Sequence, residues 1–302
     1  MSEKVIITAA VTGAVHVPSM TPYLPITPEQ IINDAVKACE AGASVVHIHA
    51  RDPKTGRPTS DLDLMAEIVN GIKLKSDVVI CITTGGAIGM TLEERLVAVP
   101  TFKPELASCN AGSVNFVLAP AAEKIKNPKF DWEIPFLEGT KDLVFANTFK
   151  GLEYYIHTMN EHGTLPEFEV YDMGMINNIA YFVKKDIVKK PIYLQFVMGV
   201  LGGIPASVEN LVLLVKTARE QLGDFVWSCA AAGKYQLPLT TAALTLGGNV
   251  RVGLEDNIYI KPGVLAKSSS EQVAIIRNIA EHLGKEIATP KDARARLNLK
   301  GL

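Results

Sequence analysis

Short β-branched and aliphatic runs alternate with longer stretches of helical periodicity along the whole chain. The apolar runs at residues 5–11, 45–50, 78–83, 106–110, 167–171, 192–197, 225–230 and 250–254 predict eight strands. Between and after them, amphipathic spacing predicts helices over 27–41, 61–73, 149–162, 176–185, 207–222, 269–283 and 290–297. The sharpest helix start is Thr27-Pro28-Glu29-Gln30, with a threonine cap, proline in the first turn and an amide three residues on. Strand–helix alternation with few hairpin signals argues for a parallel sheet, and eight such units in 302 residues predict a (β/α)₈ TIM barrel. The rival, a doubly wound open sheet, lacks its G-x-G-x-x-G after the first strand, and Gly85-Gly86-Ala87-Ile88-Gly89 does not match it. No linker composition or internal repeat divides the chain, so residues 1–302 are read as a single barrel domain with closing C-terminal helices. Residues 111–143, carrying Pro120, Pro128 and Pro135, are read as a long irregular excursion between the fourth and fifth strands.

Composition narrows the function classes. Thirty basic against 32 acidic residues give a net charge of −2, which disfavours nucleic-acid binding, since that needs clustered cations. No apolar run approaches the roughly 18 residues of a membrane-spanning helix. Lys4 and the apolar segment after it resemble a signal-peptide core, but the β-branched residues and the lack of a cleavage context favour a first buried strand. Cys39, Cys81, Cys109 and Cys229 form no C-x-x-C pair and read as free thiols in a reducing compartment, which places the protein in the cytoplasm. A mean hydropathy of +0.18 asks for a large interior, a buried oligomer face, or both.

Candidate chemistry gathers at the strand ends, where a barrel builds its site. Polar groups close almost every strand while the strand starts read as apolar. His47 and His49 are two apart on a strand and so face the same way, into the barrel mouth. Two converging imidazoles suit a divalent metal such as zinc; paired core histidines are the structural alternative. Arg251, Gly253 and Glu255 share a face of strand eight, one strand removed from strand two, which makes Glu255 the candidate third ligand. Asp256, next in the chain, is expected to stay ionised near Arg251 and to serve as a base, or else to cap a loop. Thr83, Thr84, Gly85 and Gly86 supply hydroxyl and N–H donors for an oxyanion or a carboxylate, or else form a tight turn that needs glycine. Arg51, Ser108 and Asn110 complete the candidate substrate-binding set. Small-residue loops at 199–203 and 230–233 follow strands six and seven, where barrels bind phosphate, and leave room for a carrier such as CoA. His157, His162 and His282 read as structural, and His16 is left open.

These motifs taken together resemble the β-keto acid cleavage enzymes. The resemblance rests on Thr12-Gly13-Ala14, Leu24-Pro25-Ile26-Thr27-Pro28-Glu29, His47-x-His49-x-Arg51-Asp52, Thr84-Gly85-Gly86, Asn110-Ala111-Gly112, Pro166-Glu167-x-Glu169-Val170-Tyr171, Gln195-Phe196-Val197-x-Gly199-Val200 and Arg251-Val252-Gly253-x-Glu255-Asp256-Asn257, spread over nearly the whole chain. It implies a zinc-dependent barrel enzyme, usually a homotetramer, that converts a β-keto acid plus acetyl-CoA into acetoacetate plus a new acyl-CoA. It further implies His47, His49 and Glu255 as metal ligands, Asp256 as the base assisted by Arg251, Glu169 in support of the base, and Thr83 where the family's hydroxyl donor is a serine. Val15 stands where the characterised family member has a glutamate for the substrate's amino group. A valine cannot balance an ammonium in a desolvated pocket, so a β-keto acid without that group is expected.

Two rivals remain at this level. An amidohydrolase-type metal hydrolase also carries H-x-H at a strand end, but on strand one and with further histidines on strands five and six, which this chain lacks. A non-catalytic, metal-stabilised binding barrel is the other.

Overall fold

The computed structural model describes residues 4–85 and 90–301. Eight parallel strands close into a barrel: β1 (Ile7–Ala10), β2 (Val45–Ile48), β3 (Val79–Ile82), β4 (Leu106–Asn110), β5 (Leu165–Val170), β6 (Tyr193–Met198), β7 (Val226–Ala231) and β8 (Asn249–Val252). Each pairs with its neighbours in sequence, and β8 closes on β1. This is the (β/α)₈ architecture that the strand–helix alternation predicts. The outer ring holds α1 (Pro28–Ala41), α2 (Leu62–Lys75), α3 (Phe149–Glu161), α4 (Met173–Lys184), α5 (Val208–Leu222), α6 (Gln236–Thr245) and α7 (Ser269–His282), while α8 (Pro290–Leu297) follows them. The short helices Leu92–Leu96 and Ala98–Phe102 stand between β3 and β4.

Local chemistry sets the helix starts. Thr27 Oγ1 accepts from Gln30 N while the Gln30 side chain accepts from Thr27 N, the reciprocal box that the sequence predicts for α1. Asp61, Thr148, Asp172, Ser207, Ser268 and Thr289 each accept from a first-turn N–H of the helix they precede. Three helices escaped the periodicity argument. Helix α6 scatters Gln236, Thr240, Thr241 and Thr245 among its apolar positions, so it shows no stripe, and the two five-residue helices Leu92–Leu96 and Ala98–Phe102 are too short to carry one.

Side-chain alternation divides the core in two. Val46, Ile48, Ile80, Ile82, Phe168 and Phe196 point outward and pack against the helix ring. Ile6, Val45, Val79, Cys81, Leu106 and Tyr193 point inward, where Ala293 and Leu297 of α8 plug the N-terminal end of the barrel. The expectation that strand starts are uniformly apolar needs correction. Glu105, just before β4, is buried and accepts from Arg294 Nε at 2.7 Å and Nη2 at 2.9 Å, and Asn249 at the head of β8 accepts from Ile6 N at 2.9 Å. Those polar groups fasten the closing helix and the chain start to the barrel floor.

The excursion after β4 is ordered. Val114–Asn115 pairs antiparallel with Val144–Phe145, and a short helix, Glu133–Gly139, lies between them. It brings Phe116, Leu118, Phe136 and Phe145 over the C-terminal mouth of the barrel.

Candidate active site

A cavity of about 220 Å³ opens at the C-terminal mouth, with His47, His49, Glu255 and Glu169 in its wall. His47 sits on β2 and His49 just past its end; their Nε2 atoms are 3.1 Å apart. Glu255 Oε2 lies 3.6 Å from His47 Nε2 and 3.5 Å from His49 Nε2. Two ligand nitrogens about 2.05 Å from a tetrahedral metal stand roughly 3.3 Å apart, so the imidazole spacing fits such an ion. Among the described residues Glu255 Oε2 is buried without a hydrogen-bond partner, which leaves it available as a ligand atom. Burial drives the His47 pKa well below its usual value despite the opposing pull of Glu255, and the neutral imidazole is the form that binds metal.

The sequence places Glu255 on a strand face, and the structure corrects this. Strand β8 ends at Val252, and Gly253, at φ 142°, turns the chain over β1, where Glu255 N donates to Ala10 O at 3.1 Å. A Cβ on Gly253 would lie 2.1 Å from that same Ala10 oxygen. Gly13, at φ 60°, approaches from the other side; a Cβ there would meet Glu255 Cγ at 2.2 Å. Two glycines thus shape the slot that holds Glu255.

Arg251 ties the carboxylates together. Its Nε and Nη2 donate to the two oxygens of Asp256 at 2.8 and 2.9 Å, Nη2 also to Glu255 Oε1 at 2.6 Å, and Nη1 to Glu169 Oε1 at 3.2 Å. Asp256 was expected to stay readily ionised beside this cation. Instead burial raises its pKa, and Glu255 adds to that, against the lowering by Arg251. Glu169 is pushed up to about 8 by burial, again opposed by Arg251. Arg251 and Asp256 stand behind the cavity wall, whereas Glu169 is part of it.

The remaining predicted residues divide. Val15, Thr83, Gly85 and Asn110 line the cavity, and both amide atoms of Asn110 are buried and without a partner among the described residues. Thr83 Oγ1 accepts from Gly85 N at 3.0 Å. Thr84 and Ser108 bond to each other rather than to the cavity: Thr84 N donates to Ser108 Oγ and Thr84 Oγ1 to Ser108 O. Arg51 also faces away. It is fully buried and donates to Thr12 Oγ1 and to the carbonyls of Thr12, Gly13, His16 and Gly56, so it clamps the loop that presents Val15 instead of reaching substrate. His16, left open by the sequence, pairs Nδ1 with Leu254 O at 2.9 Å, and burial lowers its pKa to about 4. Gly86 lies outside the described residues. Cys39, Cys81, Cys109 and Cys229 are free thiols. Sequence reasoning missed the aromatic wall of Phe116, Phe136 and Phe145, and it missed Arg95. The Arg95 guanidinium stacks over Phe145 and is held by Thr84 O, Ala146 O and Asn147 Oδ1. A Pro-rich stretch without periodicity gives no signal that its apolar residues gather over a barrel mouth.

Comparison with known proteins agrees with this geometry. The profile of the β-keto acid cleavage enzyme family (BKACE) matches residues 4–299. A 3,5-dioxohexanoate:acetyl-CoA acetone transferase of Paraburkholderia graminis is 48% identical over 99% of this chain and 96% of its own. A 3-keto-5-aminohexanoate cleavage enzyme of Fusobacterium nucleatum is 37% identical over 99% of this chain and 100% of its own. Among solved structures, ObcA in binary complex with oxaloacetate superposes with a TM-score of 0.75 at 22% identity, covering 93% of this chain and 68% of that one, which speaks for the fold alone. The strand order, the cavity and the extent of these matches lead to one assignment: the chain belongs to the β-keto acid cleavage enzyme family and is a β-keto acid:acetyl-CoA acyltransferase.

Proposed function

We propose that this enzyme is zinc-dependent and takes a β-keto acid whose tail carries no positive charge, with 3,5-dioxohexanoate as the leading candidate. The observation that carries the substrate reading is the cavity wall. Apart from Glu169 and Glu255, which are paired with Arg251, the wall offers no counter-charge to an ammonium: Val15, Phe116, Leu118, Phe136 and Phe145 are apolar, and Arg95 adds a buried cation. The relative that acts on 3,5-dioxohexanoate, at 48% identity, supports the same choice.

His47, His49 and Glu255 would hold the metal, which when bound supplies Lewis-acid polarisation of the substrate's keto oxygen. Thr83 and Asn110 present hydroxyl and amide groups in the same wall to orient the carboxylate. Asp256, aligned by Arg251, takes a proton from C2 of the keto acid, and its raised pKa brings it nearer the working pH that a general base needs. The C2 carbanion attacks the acetyl thioester and releases the CoA thiolate. That thiolate adds to the original keto carbon, the C2–C3 bond breaks, and Asp256 returns the proton as acetoacetate leaves, with the new acyl-CoA remaining. A second reading, Glu169 as the base, is favoured by its place in the cavity wall and by its near-neutral pKa.

The test is an assay with acetyl-CoA and a panel of β-keto acids. We expect acetoacetate from 3,5-dioxohexanoate, at least about tenfold weaker kcat/KM for the 5-amino analogue, and loss of turnover on chelation that zinc restores. Turnover surviving complete metal removal, or equal use of the amino analogue, refutes this reading. Asp256→Asn abolishing turnover while Glu169→Gln retains it separates the two bases. A cytoplasmic location and a homotetramer belong to the same proposal. Four free thiols support the first, and the exposed Val208, Val212 and Leu213 on α5 support the second.

A further inference from the structure

Beside the metal triad, two buried groups take no part in the reaction just described: Cys81 on β3 and Glu167 on β5. Cys81 stands in register with His47 on the neighbouring strand, and Glu167 shares its inward face with Glu169 two residues on. A ring nitrogen of His47, Cys81 Sγ and a carboxylate oxygen of Glu167 all lie within 4.8 Å of one another. Such inner layers are filled by Val, Ile and Leu in most barrels, so a carboxyl here calls for a reason. Its contact with the Cys81 thiol, 3.8 Å to Oε1, is weak compensation. Among the described residues, Glu167 Oε2 is buried with no hydrogen-bond partner, and so is His47 Nδ1.

The two orphans explain each other. His47 turns Nε2 toward His49 and Glu255, so a neutral ring that ligates through Nε2 must carry its proton on Nδ1. A buried N–H needs an acceptor, and among the described residues Glu167 brings an unpartnered carboxylate oxygen to the same cluster. We propose that Glu167 is the positioning residue of the metal centre: its carboxylate accepts Nδ1–H from His47, directly or across one bridging water, and fixes both the ring's tautomer and its aim. This rests on the metal reading above and goes beyond it by assigning what holds a ligand in place.

Metal affinity, measured by chelator competition on the whole protein with zinc and with cobalt, tests the assignment. Glu167→Ala should weaken binding roughly 10- to 100-fold while the melting temperature of the metal-free protein holds or rises. Glu167→Gln, whose amide oxygen still accepts, should recover most of the affinity; it also serves if the alanine variant does not fold. Cys81→Ser should leave both the affinity and the cobalt spectrum unchanged. Affinity within about threefold of wild type in Glu167→Ala overturns the proposal. So does a cobalt–thiolate absorption that vanishes in Cys81→Ser, because the ion would then sit among His47, Cys81 and Glu167 instead. A wild-type protein that binds no divalent ion refutes the metal reading itself, an outcome distinct from tight wild-type binding that ignores Glu167.

Discussion

At the scale of single residues, the site depends as much on missing side chains as on those present. Glu255 reaches the two imidazoles only because the chain can pass it on both sides, at Gly13 and at Gly253. Both positions hold a positive φ, and at Gly13, in the left-handed region, an alanine pays backbone strain of about 1–2 kcal/mol before any contact is counted. At Gly13 the new methyl would also fall 2.2 Å from Glu255 Cγ. Gly13→Ala is therefore expected to fold with modestly reduced stability, yet to lose about tenfold or more in metal affinity as Glu255 is pushed aside. Chelator competition beside a denaturation curve separates the two effects. A variant with wild-type metal affinity would show that Glu255 is not a ligand. The same scale marks where sequence reasoning stopped. Strand parity placed His47 and His49 correctly on one face, but it reached Glu255 by extending β8 two residues beyond where Gly253 ends it. Arg51 carried a charge near the mouth and so read as a substrate contact, although five backbone and hydroxyl oxygens already absorb its donors. Where a side chain points after its strand ends depends on loop φ values and hydrogen bonds that periodicity does not encode.

At the scale of elements, polar contacts between helices tie one end of the barrel wall together. Asp34, midway along α1, is buried and accepts from Ser269 N at the start of α7 at 3.0 and 3.3 Å. Burial raises its pKa from 3.8 to about 6, against the lowering by those Ser269 bonds. A carboxyl raised in the folded state binds its proton more tightly there than in the unfolded chain. Its contribution is thus complete below about pH 4 and is lost as pH rises through about 6. The shift corresponds to about 3 kcal/mol. Asp34→Asn cannot titrate, so the stability difference between the two proteins should change by roughly that amount, in favour of the variant, between pH 4 and pH 7. Urea titrations of both proteins across that window measure it; a constant difference would place the Asp34 pKa at its ordinary value. Elements of this kind were legible in the sequence when they had a stripe and a cap, as α1 and α8 do. Helix α6 and the mouth-covering excursion were not, because a helix with polar and apolar positions scattered round it and a Pro-rich segment carry no periodic signal. The aromatic cavity wall, on which the proposed substrate choice rests, sits on that unreadable segment.

At the scale of the molecule, the barrel separates stability from chemistry by placing them at opposite ends. The C-terminal mouth holds the triad, the Arg251 network and the cavity. The N-terminal floor is closed by α8, whose Ala293 and Leu297 pack on the inward Ile6, Val45, Val79 and Leu106. Ion pairs anchor that plug: Asp292 takes Lys4 Nζ at 3.1 Å, and the most buried pair is made by Arg294. Arg294 forks onto both oxygens of Glu105, which is 2% exposed, and reaches Asp77 at 3.1 Å. Removing the arginine leaves a carboxylate buried and alone, a change that costs about 3–5 kcal/mol when the partner cannot rearrange. Arg294→Ala is accordingly expected to lower the unfolding free energy by about that much. Below its new melting temperature it should keep metal affinity and kcat near wild type, because no part of the clamp lies at the mouth. Glu105→Gln with Arg294→Ala should recover part of the loss, since the neutral amide no longer buries an unpaired charge. Denaturation curves and steady-state assays on the three proteins decide the matter. If Arg294→Ala lost metal affinity or turnover in proportion to its stability, floor and mouth would be one cooperative unit, and the division of labour along the barrel axis would fail.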